Sequence, residues 1–339
     1  VEQSENSVVT GAVIKGPLEN AFVFLDLDDD GQYSENEPSA RTLNDGSFSI
    51  SSSITGVGFV AKTDASTIDT SSGEVLENIT LKAPSGASVV TPTTTIMKEA
   101  NLSASEVSRA LGLPDTVDPL TFNPYDAGTD QDTALVVEKI SQQIVTTIKT
   151  LGAAAEGAGL DADKAASLAT RALVDTVRKA ATSNENAVVN FANETDIADA
   201  TTAFLTIVQQ EESTIDTTNL AALSDVINTS IKNVNKAIAE VSSLNSDATT
   251  ATFAITNQLK DQLKQAVEDT ANGDEITVDF LDENKIADAV DQKTDEIVLE
   301  RETVEDEAVE DTDDSQDETP DETVDEVAED TDDTPEESG

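Results

Sequence analysis

Apolar positions change their period once along this chain. From Val8 to Pro92, short β-branched or aromatic runs alternate with turn residues, which is the pattern of strands. The runs are VVTGAVI (8–14), AFVFL (21–25), SFSIS (47–51), VGFVAK (57–62), NITLKA (78–83) and ASVV (87–90). Gly16-Pro17 and Asn44-Asp45-Gly46 punctuate them, and the second is a hairpin signal. The spacing predicts a small antiparallel β-sandwich over residues 8–92, with the polar residues 1–7 as a linker.

Beyond Thr91-Pro92 the period becomes helical. Ser103 and Glu106 form a capping box that opens a short helix ending before Pro114. Val137, Ile140, Ile144, Ile148 and Leu151 recur at helical spacing, as do Ile227, Ile231, Val234, Ile238 and Val241. Weaker helical stretches cover roughly 161–181, 196–210 and 248–269. GAAAEGAG (152–159) and the SNEN run (183–186) read as breaks. Four or five antiparallel helices over residues 93–270 would bury these stripes in a bundle. Residues 271–301 are ambiguous: ITVDFL (276–281) reads as a strand or an extended strap, with a short helix after it. The fold class expected is therefore α+β in two domains, a β-sandwich followed by an α-helical bundle.

Charge alters the picture at the C-terminal end. The chain carries 69 acidic and 19 basic residues among 339, a formal net charge of −50. Residues 302–339 hold 20 of the acids and no base. They are expected to be a disordered, self-repelling tail. The remainder is still strongly acidic, which argues against nucleic acid and anionic membrane as partners and in favour of cations. Cys, His and Trp are absent, which excludes disulfides, Cys/His zinc sites and Ser-His-Asp catalysis. No apolar run reaches the roughly 18–20 residues of a membrane span. The chain begins at Val1 with no signal peptide or initiator Met, and is read as a mature product or an excised segment of something longer. Aromatic residues are only 3%. Ala, Val, Thr, Ile and Leu must then supply the core, at about 1.5–3 kcal/mol for each large apolar side chain buried.

One motif carries sharp chemistry. DLDDDGQYSENE, residues 26–37, fits D-x-D-x-D-G-x5-E without a gap. Asp26, Asp28 and Asp30 send carboxylates inward at alternate positions, and Gly31 stands where the chain turns sharply. Gln32 would offer its backbone carbonyl, Ser34 would ligate directly or through water, and Glu37 would close the loop. Calcium takes about 6–8 hard oxygen ligands, which this composition can supply. The competing reading is an acidic surface turn. AFVFL precedes the loop and Pro38 comes directly after Glu37, so the loop should join two strands rather than two helices. That favours a structural staple over an EF-hand switch.

The stretch GAVIKGPLENAFVFLDLDDDGQYSENEPSARTLNDGSFSI (11–50) resembles the prealbumin-like sandwiches of the carboxypeptidase regulatory-like group. It is also similar to the calcium-binding B domains of serine–aspartate-repeat adhesins. APSGASVVTPTTTIMKE (83–99) and ALGLP (110–114) resemble the segments C-terminal to such modules in very large secreted bacterial proteins. The resemblance implies a calcium-binding structural or adhesive role at a bacterial cell surface or outside the cell, without enzymatic activity. Carried over by position, it implies Asp26, Asp28, Asp30 and Glu37 as ligands, with Gln32 through its carbonyl. Only one module copy is present, and there are no nonapeptide calcium repeats.

Other carboxylates are weaker candidates. Asp126, Asp130 and Asp132 could bind a second cation, but an acid capping the following helix is favoured. A glycosidase acid/base pair is disfavoured, because Tyr33 and Tyr125 are the only Tyr residues and no Trp exists to platform a sugar. The alternative to the structural reading is a module that binds a polysaccharide or a protein at a site outside the calcium loop.

Overall fold

The computed structural model describes residues 7–184 and 186–313, the last ten by backbone alone. Strands come first. β1 (Ser7–Val13) pairs antiparallel with β5 (Ser47–Ser52) and parallel with β10 (Val89–Val90). A second sheet has the order β4-β3-β6-β9, where β3 is Phe22–Asp26, β4 Ser39–Arg41, β6 Gly58–Lys62 and β9 Thr80–Ala83. A third, minimal sheet joins β2 (Leu18–Glu19), β7 (Ile68–Asp69) and β8 (Glu74–Val75). Each of the six apolar runs becomes a strand. Phe48 of β5 meets Phe59 of β6 edge to face at 5.2 Å, so the two larger sheets share one interior.

Two expectations for this region are corrected. The β1–β10 pair is parallel: the chain passes through the other sheets between the two strands instead of reversing at a tight turn. The Asn44-Asp45-Gly46 turn does form, with Gly46 at φ +77. It makes no hairpin, since it links β4 to β5, which lie in different sheets.

Helices come next without a linker. Thr91 caps α1 (Pro92–Ala100), whose N1 proline needs no N–H partner. Ser103 and Glu106 cap α2 (Ala104–Leu111) reciprocally, and Gly112 ends it in the left-handed region. The two apolar stripes become α3 (Gln131–Gly157) and α7 (Ser224–Glu240). Between and after them lie α4 (Ala162–Ser183), α5 (Glu194–Glu211), α6 (Thr218–Ala222), α8 (Asp247–Ala254) and α9 (Thr256–Asn272).

Residues 152–157, expected as a break, lie inside α3. Their glycines serve packing. A Cβ on Gly157 would stand 2.3 Å from the Lys264 carbonyl of α9, and one on Gly152 3.4 Å from the Ala166 backbone of α4.

Residues 276–281 form no strand. Val278 and Phe280 bury as a strap that ends in a 3₁₀ turn, Asp279–Leu281. The helix after it is long rather than short: α10 runs Glu283–Asp313, into the segment expected to be tail. Residues 1–6 of the expected linker and 314–339 of the expected tail lie outside the described residues.

Sheets and helices up to Ile297 fall in one compact unit. The second unit is Val298–Gly339, whose described part is the end of α10. The physical reason for the single unit is area. Two-residue strands and few aromatics cannot close a core on the sheets alone. A continuous apolar cluster therefore runs from Val13 in β1 through Ile96 in α1 and Ile144 in α3 to Ile286 in α10.

Candidate metal centre

Asp26 is the last residue of β3 and pairs with Gly58 of β6, so its backbone is placed by the sheet. The chain then leaves the ladder and returns as β4, which makes residues 27–38 a strand-to-strand loop, as expected. Asp29 at φ +65 and Gly31 at φ +72 provide the sharp bends. The Asp30 carboxylate accepts the Gln32 N–H at 2.6 Å, closing a local turn.

This path gathers three acids. Carboxylate oxygens of Asp26, Asp28 and Asp30 lie within 4.8 Å of one another. Asp28 and Asp30 are exposed, while Asp26 is only 4% exposed. Asp26 Oδ2 accepts the Gly31 N–H at 3.2 Å. Its Oδ1 is buried without a hydrogen-bond partner. A buried carboxylate oxygen without a partner is costly, and two further carboxylates beside it raise that cost. The residues present therefore fit a hard cation: three carboxylates converge, and the buried one has an oxygen with no protein partner.

The other residues of the motif take different places. Glu37 is buried outside the triad and grips the loop backbone, accepting N–H groups of Leu27 and Ser34 at 2.8 Å each. Gln32 turns its side chain away, where its Oε1 accepts Lys62 Nζ at 3.1 Å. Ser34 donates its backbone N–H to Glu37. Asp126 and Asp130 do not gather as a second centre. Asp130 caps α3 through the Thr133 N–H at 2.9 Å, and Asp126 accepts the Asn123 amide at 2.7 Å.

Helix α1 braces the loop, which the motif alone does not reveal. Lys98 pairs with Asp29, and that hydrogen bond and charge hold the Asp29 carboxyl below the usual range. Lys82 of β9 pairs with Glu99, and a Cβ on Gly31 would lie 2.9 Å from its ammonium.

A second polar cluster, buried between sheet and helices, also escapes sequence reading. Lys15 pairs with Asp69 at almost full burial. Glu138 of α3 lies fully buried against them, with one oxygen accepting Gln142 at 2.7 Å and the other unpartnered. Burial, and then the Asp69 charge, push the Glu138 carboxyl up to about 8. Glu138 falls between apolar positions of α3, and nothing local in the sequence signals that it would face inward.

Compared with known protein families, characterised proteins and solved structures, this chain matches none. The resemblance of residues 11–50 therefore rests on its motif.

Proposed function

We propose that this chain is a calcium-stabilised structural or adhesive module of a bacterial cell-surface or secreted protein, with no enzymatic role. The observation that carries the metal reading is the buried, unpartnered Asp26 Oδ1 within the Asp26, Asp28 and Asp30 cluster. Those three side chains would hold the ion. The Gln32 carbonyl, Ser34 and Glu37 close the same loop and would complete an oxygen shell. The N–H bonds that Glu37 accepts would then act as orienting contacts behind a ligand.

Bound calcium supplies charge neutralisation and cross-linking, not catalysis. This chain's own residues do the remaining work. Asp26 anchors the loop to the sheet, Glu37 gathers its backbone, and the Lys98–Asp29 pair ties it to α1. A cation that binds only the folded loop stabilises the fold by about 2.7 kcal/mol at a hundredfold excess over Kd. The bacterial surface assignment is supported by the resemblance of residues 11–50.

Thermal unfolding of the full chain tests the metal reading. Calcium in the millimolar range, where extracellular modules bind, should raise Tm by a few degrees, and a chelator should reverse it. Asp28→Ala, at an exposed position, should abolish the response while leaving the metal-free Tm nearly unchanged. Equal melting with and without calcium, or an identical rise from magnesium in both proteins, would overturn it. Antibody labelling of intact source cells tests the location.

A further inference from the structure

A cleft of about 740 Å³ opens beside the metal loop, between the outer face of the four-stranded sheet and helices α1 and α4. Its floor is a row set by strand register. Arg41 on β4, Phe22 on β3, Lys62 on β6 and Thr80 on β9 stand side by side on one face. The Arg41 guanidinium lies 5.8 Å from the Phe22 ring centre, and Lys62 Nζ 5.9 Å from that of Phe24. The size matches ligand sites, which run to about 300–1,000 Å³.

Its charge is at odds with the rest of the protein. Four cations line it, Arg41, Lys62, Lys82 and Arg171, against three carboxylates, Asp64, Glu99 and Asp163. In a chain of net charge −50 this lining carries one more cation than carboxylates. Three of the cations hold a carboxylate: Arg41 with Asp64, Lys82 with Glu99, and Arg171 with Glu211. Lys62 does not. Among the described residues its partners are the neutral Gln32 amide oxygen and the Phe24 ring. A ligand carboxylate would bind it in place of an uncharged acceptor, and charge-assisted bonds are roughly twice as strong as neutral ones.

Much of the remaining lining is hydroxyl or amide, including Thr80, Ser167, Thr170 and Asn78, with Ile79 and Ala166 as small apolar additions. Phe22, part-exposed and edge to face with Tyr33 at 5.0 Å, supplies the apolar surface. Bare phosphate would use the cations and the hydroxyls but not the ring. A sugar ring bearing a carboxylate would use all three. We propose that this cleft binds an acidic oligosaccharide, with Lys62 as the carboxylate anchor and Phe22 as the stacking surface. Gly31 and Gln32 of the neighbouring loop form one edge of the cleft.

Isothermal titration of the full chain with a galacturonic acid trimer tests this. It is run at about 0.15 M salt, where screening over roughly 8 Å removes the long-range repulsion of the acidic surface. The trimer should bind, maltotriose at least tenfold more weakly, and inorganic phosphate likewise. Lys62→Gln should weaken the trimer at least tenfold. Ser167→Trp, at an exposed position on α4, should block it without removing charge and so serves if the lysine variant misfolds. Lys179→Gln, outside the cleft, should bind as wild type. No heat with the trimer, equal affinity for maltotriose or phosphate, or unchanged binding in the tryptophan variant would overturn the proposal.

Discussion

At the scale of single residues, the most consequential group is Glu138. Its carboxyl is raised to about 8 by burial and the Asp69 charge, with Lys15, Gln142 and Tyr125 as its other neighbours. Below about pH 4.5 the carboxyl is protonated whether the chain is folded or not. Between 4.5 and 8 the folded chain holds the proton more tightly, so this group's share of stability falls as pH rises and is lost above 8. Glu138→Gln keeps the shape and the bond from Gln142 but cannot ionise. Its stability relative to wild type should grow by about 2–4 kcal/mol between pH 5 and pH 8. Urea unfolding at both pH values measures this, and an unchanged difference would refute it.

Lys149 acts with opposite sign. Burial, and then the Lys15 charge, lower its ammonium to about 7. Its cost is full below pH 7 and is lifted toward 10.5, so the two groups together should place a stability minimum near pH 7–8.

Among elements, the close approach of α3 to its neighbours depends on side chains that are missing. Gly157→Ala should destabilise by about 2–3 kcal/mol, because its methyl would meet backbone of α9 and the helices must part. Gly152→Ala meets only ordinary contacts and should be neutral or gain up to about 1 kcal/mol from helix propensity. Denaturation midpoints of the two variants test that ranking.

The same glycines mark the limit of what sequence reveals. Ser103 with Glu106, and the stripes of α3 and α7, were legible because caps and periodicity are local. Residues 152–157 read as a break because two Gly suggest flexibility until the partner helices are known. That residues 27–38 join two strands was legible from AFVFL and Pro38. What Glu37 grips, and that Lys98 reaches Asp29, were not, since they depend on contacts distant in sequence. The cleft was illegible for the same reason: its floor comes from four strands.

For the molecule as a whole, the shared core predicts one cooperative transition for the unit ending at Ile297. Circular dichroism in the far and near ultraviolet should give coincident melts. A fragment of residues 1–92 should lack a cooperative melt of its own, because it would expose the apolar surface that α1 and α3 cover. Two separated transitions in the intact chain would contradict the single core.

Strand β1 has a consequence of another kind. It is laced to β5 over Ser7–Ala12 on one side and to β10 at Ala12 and Val13 on the other. A pull transmitted along the chain ahead of Ser7 runs parallel to the strand axis. The rungs on both sides are then sheared at the same moment instead of peeling open one after another. Such a lattice yields only at high tension.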